Sequence, residues 1–339
     1  MQELQKAIKQ SPIIYVTRDL ERASGMPKAY QNYHIISNWT PFGADWSKGK
    51  KNVFFIKEKT LLDTRDLLTH SKTKKFIAKI KNPHILVFKN TSQIEKICAE
   101  NKWPLLNPPA ELANKIEEKI SQIHWLGPLT KYLPPYQILQ CKNLRPLSPS
   151  AREGARGEWE FPFIVQFNRA HTGSGTILIE SQKKIDELKQ KFPNRELRVT
   201  QFITGPAFTN NNVAWGQNVF IGNINYQITG LAPFTNRPFA TIGNDWALPH
   251  TILNTKQIKH YKQIATDVGK RLIKDGWKGL FGIDVMVDEK SGKLYLIEIN
   301  ARQPASTTYE SQLQESKKTR KQEKKKSFFK DLASIISLN

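Results

Sequence analysis

Two hydrophobic periods alternate along this chain. Short β-branched or aromatic runs at Ile13–Val16, His34–Ser37, Val53–Ile56 and His84–Phe88 read as buried strands, and Leu61–His70 reads as a helix. Strands that alternate with helical stretches predict a small parallel α/β domain over residues 1–104, behind a short amphipathic segment at 1–10. No G-x-G-x-x-G follows the first strand, so the dinucleotide-binding fingerprint is excluded. Thr17 and Arg18 follow the carboxyl end of that strand, where open α/β sheets bind ligands, and are substrate-contact candidates.

Asn107-Pro108-Pro109 breaks the pattern. Ala110–Gln122 then reads as one helix with a stripe of Leu112, Ile116, Ile120 and Ile123, which Lys115 leaves. Asn143–Glu158, with two prolines and two glycines, reads as a mobile loop. Phe161–Ile179 reads as strand, glycine turn and strand. Consecutive amides at Gly173-Ser174-Gly175 can form an anion nest. Ser181–Lys191 is a helix, Leu197–Thr204 a strand, and Val213–Ile228 two strands around Gly222-Asn223. Thr235–Pro249 is polar. Thr255–Asp275 is an amphipathic helix with Gly276 placed as its C′ residue. Gln312–Lys326 has no apolar stripe and reads as a solvated linker or disordered segment. Ser327–Leu338 forms an amphipathic helix that docks on its own body or, alternatively, on a membrane surface or partner.

The stretch Gly279–Arg302 carries the chemistry. Runs at Phe281–Val287 and Leu294–Ile299 flank a polar loop with Gly292, a hairpin signal. Simple alternation puts Asp284, Met286 and Asp288 on one face, and Leu294, Leu296, Glu298 and Asn300 together on one face of the return strand. Symmetry about Ser291 sets Asp288 opposite Leu294 and Asp284 opposite Glu298. Two acids directly opposite repel, unless a cation lies between them. With Asn300 they form a sparse set of hard oxygen donors suited to Mg²⁺ with a nucleotide. Arg302 adds a planar fork for carboxylate or phosphate.

Charge widens the picture. Fifty-two Lys and Arg against 30 Asp and Glu give +22, a field that attracts anions such as nucleotides, acidic metabolites, nucleic acid or anionic lipid. No zinc-finger spacing or RNP-type signature accompanies it, so nucleic acid stands as a partner not favoured over small molecules. Cys98 and Cys141 are the only cysteines, and no apolar run nears the ~18–20 residues of a membrane span. The expected setting is cytoplasmic.

The order of these parts resembles the ATP-grasp superfamily over roughly residues 105–310, most specifically in the closing Gly-Ile-Asp and Glu-Ile-Asn-Ala-Arg around Asp284 and Glu298. The resemblance implies an α/β N-terminal pre-ATP-grasp domain (1–104). It also implies an α+β ATP-grasp fold with two subdomains clasping the nucleotide (105–310, lid about 125–200), followed by a basic linker and short helix (311–339). It implies ATP and Mg²⁺ or Mn²⁺ as cofactors, with Asp284, Glu298 and Asn300 as metal ligands. Lys115 would sit on the phosphates and Arg302 and Asn300 at the reacting groups. His171, Thr172, Gly173, Ser174, Gly175 and Thr176 would form the lid, and Gln201, Phe202 and Ile203 the adenine edge. Gln166 stands where the family usually has a lysine, and Gln201 where an acid is common. Arg169 could supply the missing charge.

The activity so implied is a carboxylate–amine ligase working through an acylphosphate, on small-molecule acid and amine substrates, with a homodimer as one assembly. The alternatives are a carboxylase resembling biotin carboxylase, and a non-catalytic nucleotide or nucleic-acid binder.

Overall fold

The computed structural model describes residues 2–26, 32–147, 158–168 and 175–320. Its first sheet is wholly parallel: β1 (Ile13–Val16), β2 (Tyr33–Asn38), β3 (Val53–Ile56) and β4 (His84–Val87), in the order β3-β2-β1-β4. All four residues of β1 are buried, as expected for a central strand covered on both faces. Its side chains alternate between two cores. Ile13 and Tyr15 join one with Ile8 and Leu20; Ile14 and Val16 join the other with Leu67, Ile77 and Ile94.

The second sheet is antiparallel: β5 (Tyr136–Gln140), β8 (Phe163–Phe167), β9 (Thr176–Ile179) and β10 (Glu196–Gln201), in the order β5-β10-β8-β9. Phe163, Val165, Phe167, Leu197 and Val199 face the helix Gln182–Lys191 through its Ile185 and Leu188. Period two then sends Gln166 and Arg198 to the opposite face. Two-residue strands β6 (Arg145–Pro146) and β7 (Glu158–Trp159) pair in parallel and pin the two ends of the expected loop, whose residues 148–157 lie outside the described ones.

The third sheet is also antiparallel: β11 (Ala207–Trp215), β12 (Asn218–Thr229), β13 (Thr241–Asp245), β14 (Gly279–Val287) and β15 (Leu294–Asn300), in the order β13-β12-β11-β14-β15. The helix Thr255–Lys274, started by a capping box between Asn254 and Gln257, lays Tyr261, Ile264, Val268 and Leu272 on one face of this sheet. Gln227, Thr229, Asp284 and Glu298, with Met286, line a cleft on the other face.

Three local expectations are corrected. The β11–β12 turn is at Gly216, with φ +57°, and not at Gly222-Asn223. Gly222 lies inside β12, where an added Cβ would fall 2.1 Å from the carbonyl oxygen of Asn211. The predicted helix Ala110–Gln122 stops at Glu117. Glu118 is extended (φ −69°, ψ 135°), and a second helix runs Ser121–Leu126. The linker expected from Gln312 begins instead as a helix, Thr307–Arg320, with Thr307, Glu310 and Ser311 buried against the body. Ser327–Leu338 lies outside the described residues. Among the described residues no helix is long and apolar enough to cross a membrane, and Cys98 and Cys141 are buried free thiols.

Candidate functional site

The β14–β15 hairpin places the two acids by a route that simple alternation does not give. At the turn Val287 pairs with Leu294, and Val285 with Leu296. Asp288 is therefore not opposite Leu294. A bulge at Ile297 inserts one residue, after which Asp284 pairs with Glu298 and Gly282 with Asn300. The extra residue reverses the facing of β15. Leu294 and Leu296 join the core with Phe281, Ile283 and Val285; beyond the bulge it is Ile299 that faces inward. Glu298 and Asn300 turn to the polar face with Asp284, so the predicted sharing of a face by Leu294, Leu296, Glu298 and Asn300 is corrected.

Asp284 Oδ2 accepts a hydrogen bond from Asn300 Nδ2 at 3.3 Å, whereas Oδ1 is buried without a partner. Burial, with Glu298 beside it, pushes the Asp284 carboxyl up to about 6, and polar contacts from Thr209, Asn300 and Gln227 only partly offset this. Burial opposes ionisation of Glu298 too, but the Lys119 ammonium, 2.6 Å from Oε1, with Arg302 and Arg198 behind it, holds that carboxyl below its ordinary value. One acid is thus satisfied by a cation and its neighbour is left wanting one.

Lys119 lines the cleft beside Glu298, and Lys115 does not. The latter is exposed, and its carbonyl oxygen accepts from Ser121 Oγ. Lys119 turns inward because the helix ends at Glu117 and Asn168 caps the following turn, its Oδ1 accepting from Ile120 N at 2.8 Å. Nothing in the sequence marks this break, since Ile116, Ile120 and Ile123 keep helical spacing across it and all remain buried.

The acids floor a cleft of about 950 Å³ between the second and third sheets. Gln166, Gly175, Thr176, Gln201, Phe202, Ile203 and Arg302 line it with them. Arg302 Nη1 donates to Glu117 Oε1, and Lys89 bonds the other oxygen of that carboxylate at 2.6 Å. His171, Thr172, Gly173 and Ser174, like Arg169, lie outside the described residues. Thr17 and Arg18 do not line the cleft: the Thr17 hydroxyl donates to the Asp19 carbonyl, and Arg18 pairs with Asp63 at 3.0 Å. Lys119, Arg198, Glu117 and Lys89 are cleft residues that sequence reasoning missed. No three His, Cys, Asp or Glu converge among the described residues.

Residues 148–306 match the family model described as the ATP-grasp domain. No curated protein matches the chain. Among solved structures, the biotin carboxylase of Campylobacter jejuni in its β,γ-ATP complex aligns with a TM-score of 0.63 at 14% identity, over 96% of this chain and 70% of that one. The biotin carboxylase domain of Hydrogenobacter thermophilus 2-oxoglutarate carboxylase, crystallised with MgADP, ADP and bicarbonate, gives 0.61 at 13%, over 96% and 69%. The L-amino acid ligase of Bacillus licheniformis gives 0.52 at 15%, over 86% and 67%.

Proposed function

With the ATP-grasp fold of this chain and its α/β pre-ATP-grasp unit as the premise, we propose that the protein is an ATP- and Mg²⁺-dependent ligase that activates a carboxylate as an acylphosphate for attack by an amine. The observation that carries this reading is the pairing of Asp284 with Glu298 on the cleft floor, beside Asn300, with one Asp284 oxygen buried and unpartnered. Two hard anionic oxygens and an amide suit Mg²⁺, which keeps several positions for phosphate oxygens and water. The ammonium of Lys119 against Glu298 supports a cation at this spot. Asp284, Glu298 and Asn300 would hold the metal, whose contribution is to neutralise charge on the phosphate oxygens.

The chain's own residues supply the rest. Lys119 and Lys89 set fixed positive potential along the cleft, and Glu117 fixes the fork of Arg302, which would face the carboxylate or the transferring phosphoryl group. The glycine turn up to Thr176 would cover the phosphates and exclude water, protecting an acylphosphate from hydrolysis. Gln201, Phe202 and Ile203 would edge the base. A carboxylate is a poor electrophile until it is phosphorylated, and positioning then does most of the work.

Titration calorimetry with MgATP tests the reading. Wild type binds, Glu298→Ala loses binding by at least tenfold, Lys119→Ala weakens it, and Lys115→Ala leaves it unchanged. Unaltered affinity in Glu298→Ala removes the metal assignment. A biotin-carboxylase-like activity is the second reading, favoured by the higher TM-scores and 96% coverage of those structures. ADP release with bicarbonate and biotin supports it; release with amino acids and small carboxylates supports the ligase.

A further inference from the structure

Arg198 is the one cleft cation described above that holds no acid. It sits on β10 opposite Gln166 of β8, and it is only 3% exposed. Its Nε and Nη2 both donate to Gln166 Oε1, and Nη1 donates to Gln122 Oε1 at 3.4 Å. Among the described residues it forms no ion pair, whereas Lys119, Lys89 and Arg302 each bind a glutamate. A buried guanidinium whose hydrogen bonds go only to neutral amides is only partly compensated. Its pKa is accordingly lowered to about 10 by burial, although Glu298 and Tyr136 act against this.

The two amides hold the guanidinium in place. Gln166 Nε2 donates to Thr176 Oγ1 at 3.0 Å, and Gln122 Nε2 to the Ile116 carbonyl at 2.8 Å, which turns each Oε1 toward Arg198. A guanidinium has five N–H groups, and three are used. One remains on each terminal nitrogen as a donor for an anion. Arg198 lines the cleft between Thr176, which it reaches through Gln166, and Glu298, whose charge it feels. A polyphosphate that runs from the paired acids toward Gly175 and Thr176 passes this point.

We propose that Arg198, held by Gln166 and Gln122, binds phosphate oxygens of the nucleoside triphosphate. This rests on the ATP reading above. Gln166 is then a positioning residue and Arg198 the anion ligand.

Calorimetry on the full chain with MgATP, MgADP and adenosine, beside thermal melts, tests it. Arg198→Gln should weaken MgATP by about 10- to 100-fold, the range for a hydrogen bond to a charged group, and leave adenosine unchanged; Arg198→Lys should fall between. Because Arg198→Gln can misfold, Gln166→Glu is the second variant. An acid there neutralises the guanidinium in place, so it should raise the melting temperature and weaken MgATP at least tenfold. A raised melting temperature with MgATP affinity within twofold of wild type overturns the proposal, and so does a folded Arg198→Gln that binds normally. If wild type itself does not bind MgATP, the functional reading fails and this inference fails with it; normal wild-type binding with unaffected variants sinks the inference alone.

Discussion

At the scale of single residues, the site is two like charges treated unequally. Asp284 carries its proton to about pH 6 when folded, against an ordinary value of 3.8. Between those values the folded state binds more protons than the unfolded chain, so the metal-free protein gains stability as pH falls from 7 toward 4. Glu298 works the other way, because Lys119 holds it below its ordinary 4.5 and its contribution is lost only as pH falls past that region. Asp284→Asn removes the buried charge and its repulsion. The variant should melt a few degrees higher without metal, about 2–4 °C for each kcal/mol relieved, lose the stability gain between pH 7 and 5, and lose MgATP binding. Melts at both pH values in EDTA, with a MgATP titration, check this; a variant that melts lower than wild type contradicts it.

At the scale of elements, strands were easier to read than the joints between them. The all-apolar Ile13–Val16 announces a central parallel strand because nothing polar could survive there. Asp284 and Glu298 were legible because acids interrupt two apolar runs at mirrored positions. What sequence could not show was local backbone deviation. The bulge at Ile297, the break after Glu117 and the turn at Gly216 each leave the hydrophobic pattern almost intact. Arg198 was missed because its role depends on Gln166 and Gln122, far along the chain and brought beside it only by the sheet and the helix break. The bulge is testable. Ile297→Ala keeps the extra residue and should bind MgATP within severalfold of wild type. Deleting Ile297 removes the unpaired residue and leaves a regular ladder in which Leu296 still opposes Val285 and Glu298 still opposes Asp284, so the variant should keep both acids on the polar face and bind MgATP within tenfold of wild type. Loss of binding by the deletion would show that the bulge itself, and not only the pairing of the acids, shapes the site.

At the scale of the whole molecule, the net charge of +22 is only partly explained by the cleft, where most described cations are already matched with acids. The helix Thr307–Arg320 ties the third sheet to the N-terminal unit. Thr308 Oγ1 donates to the Glu21 carbonyl at 2.6 Å, and Glu310, fully buried, accepts from the backbone and side-chain nitrogens of Asn223 at 3.1 and 2.7 Å. A chain ending at Ser306 leaves those Asn223 donors without their acid. It should melt at least 5 °C lower and show two calorimetric transitions in place of one; an unchanged single transition counts against the tie.

Just ahead of that helix, Arg302 and Gln303 are consecutive. The first reaches Glu117 in the cleft. The second accepts from the Tyr15 hydroxyl at 2.7 Å and donates to the Arg22 carbonyl at 2.8 Å, both in the N-terminal unit. One peptide bond therefore joins the aim of the fork to the seating of the first sheet. Under the proposed function, a tilt of that sheet would change the bearing of Arg302 at the place where an acid substrate would be gripped.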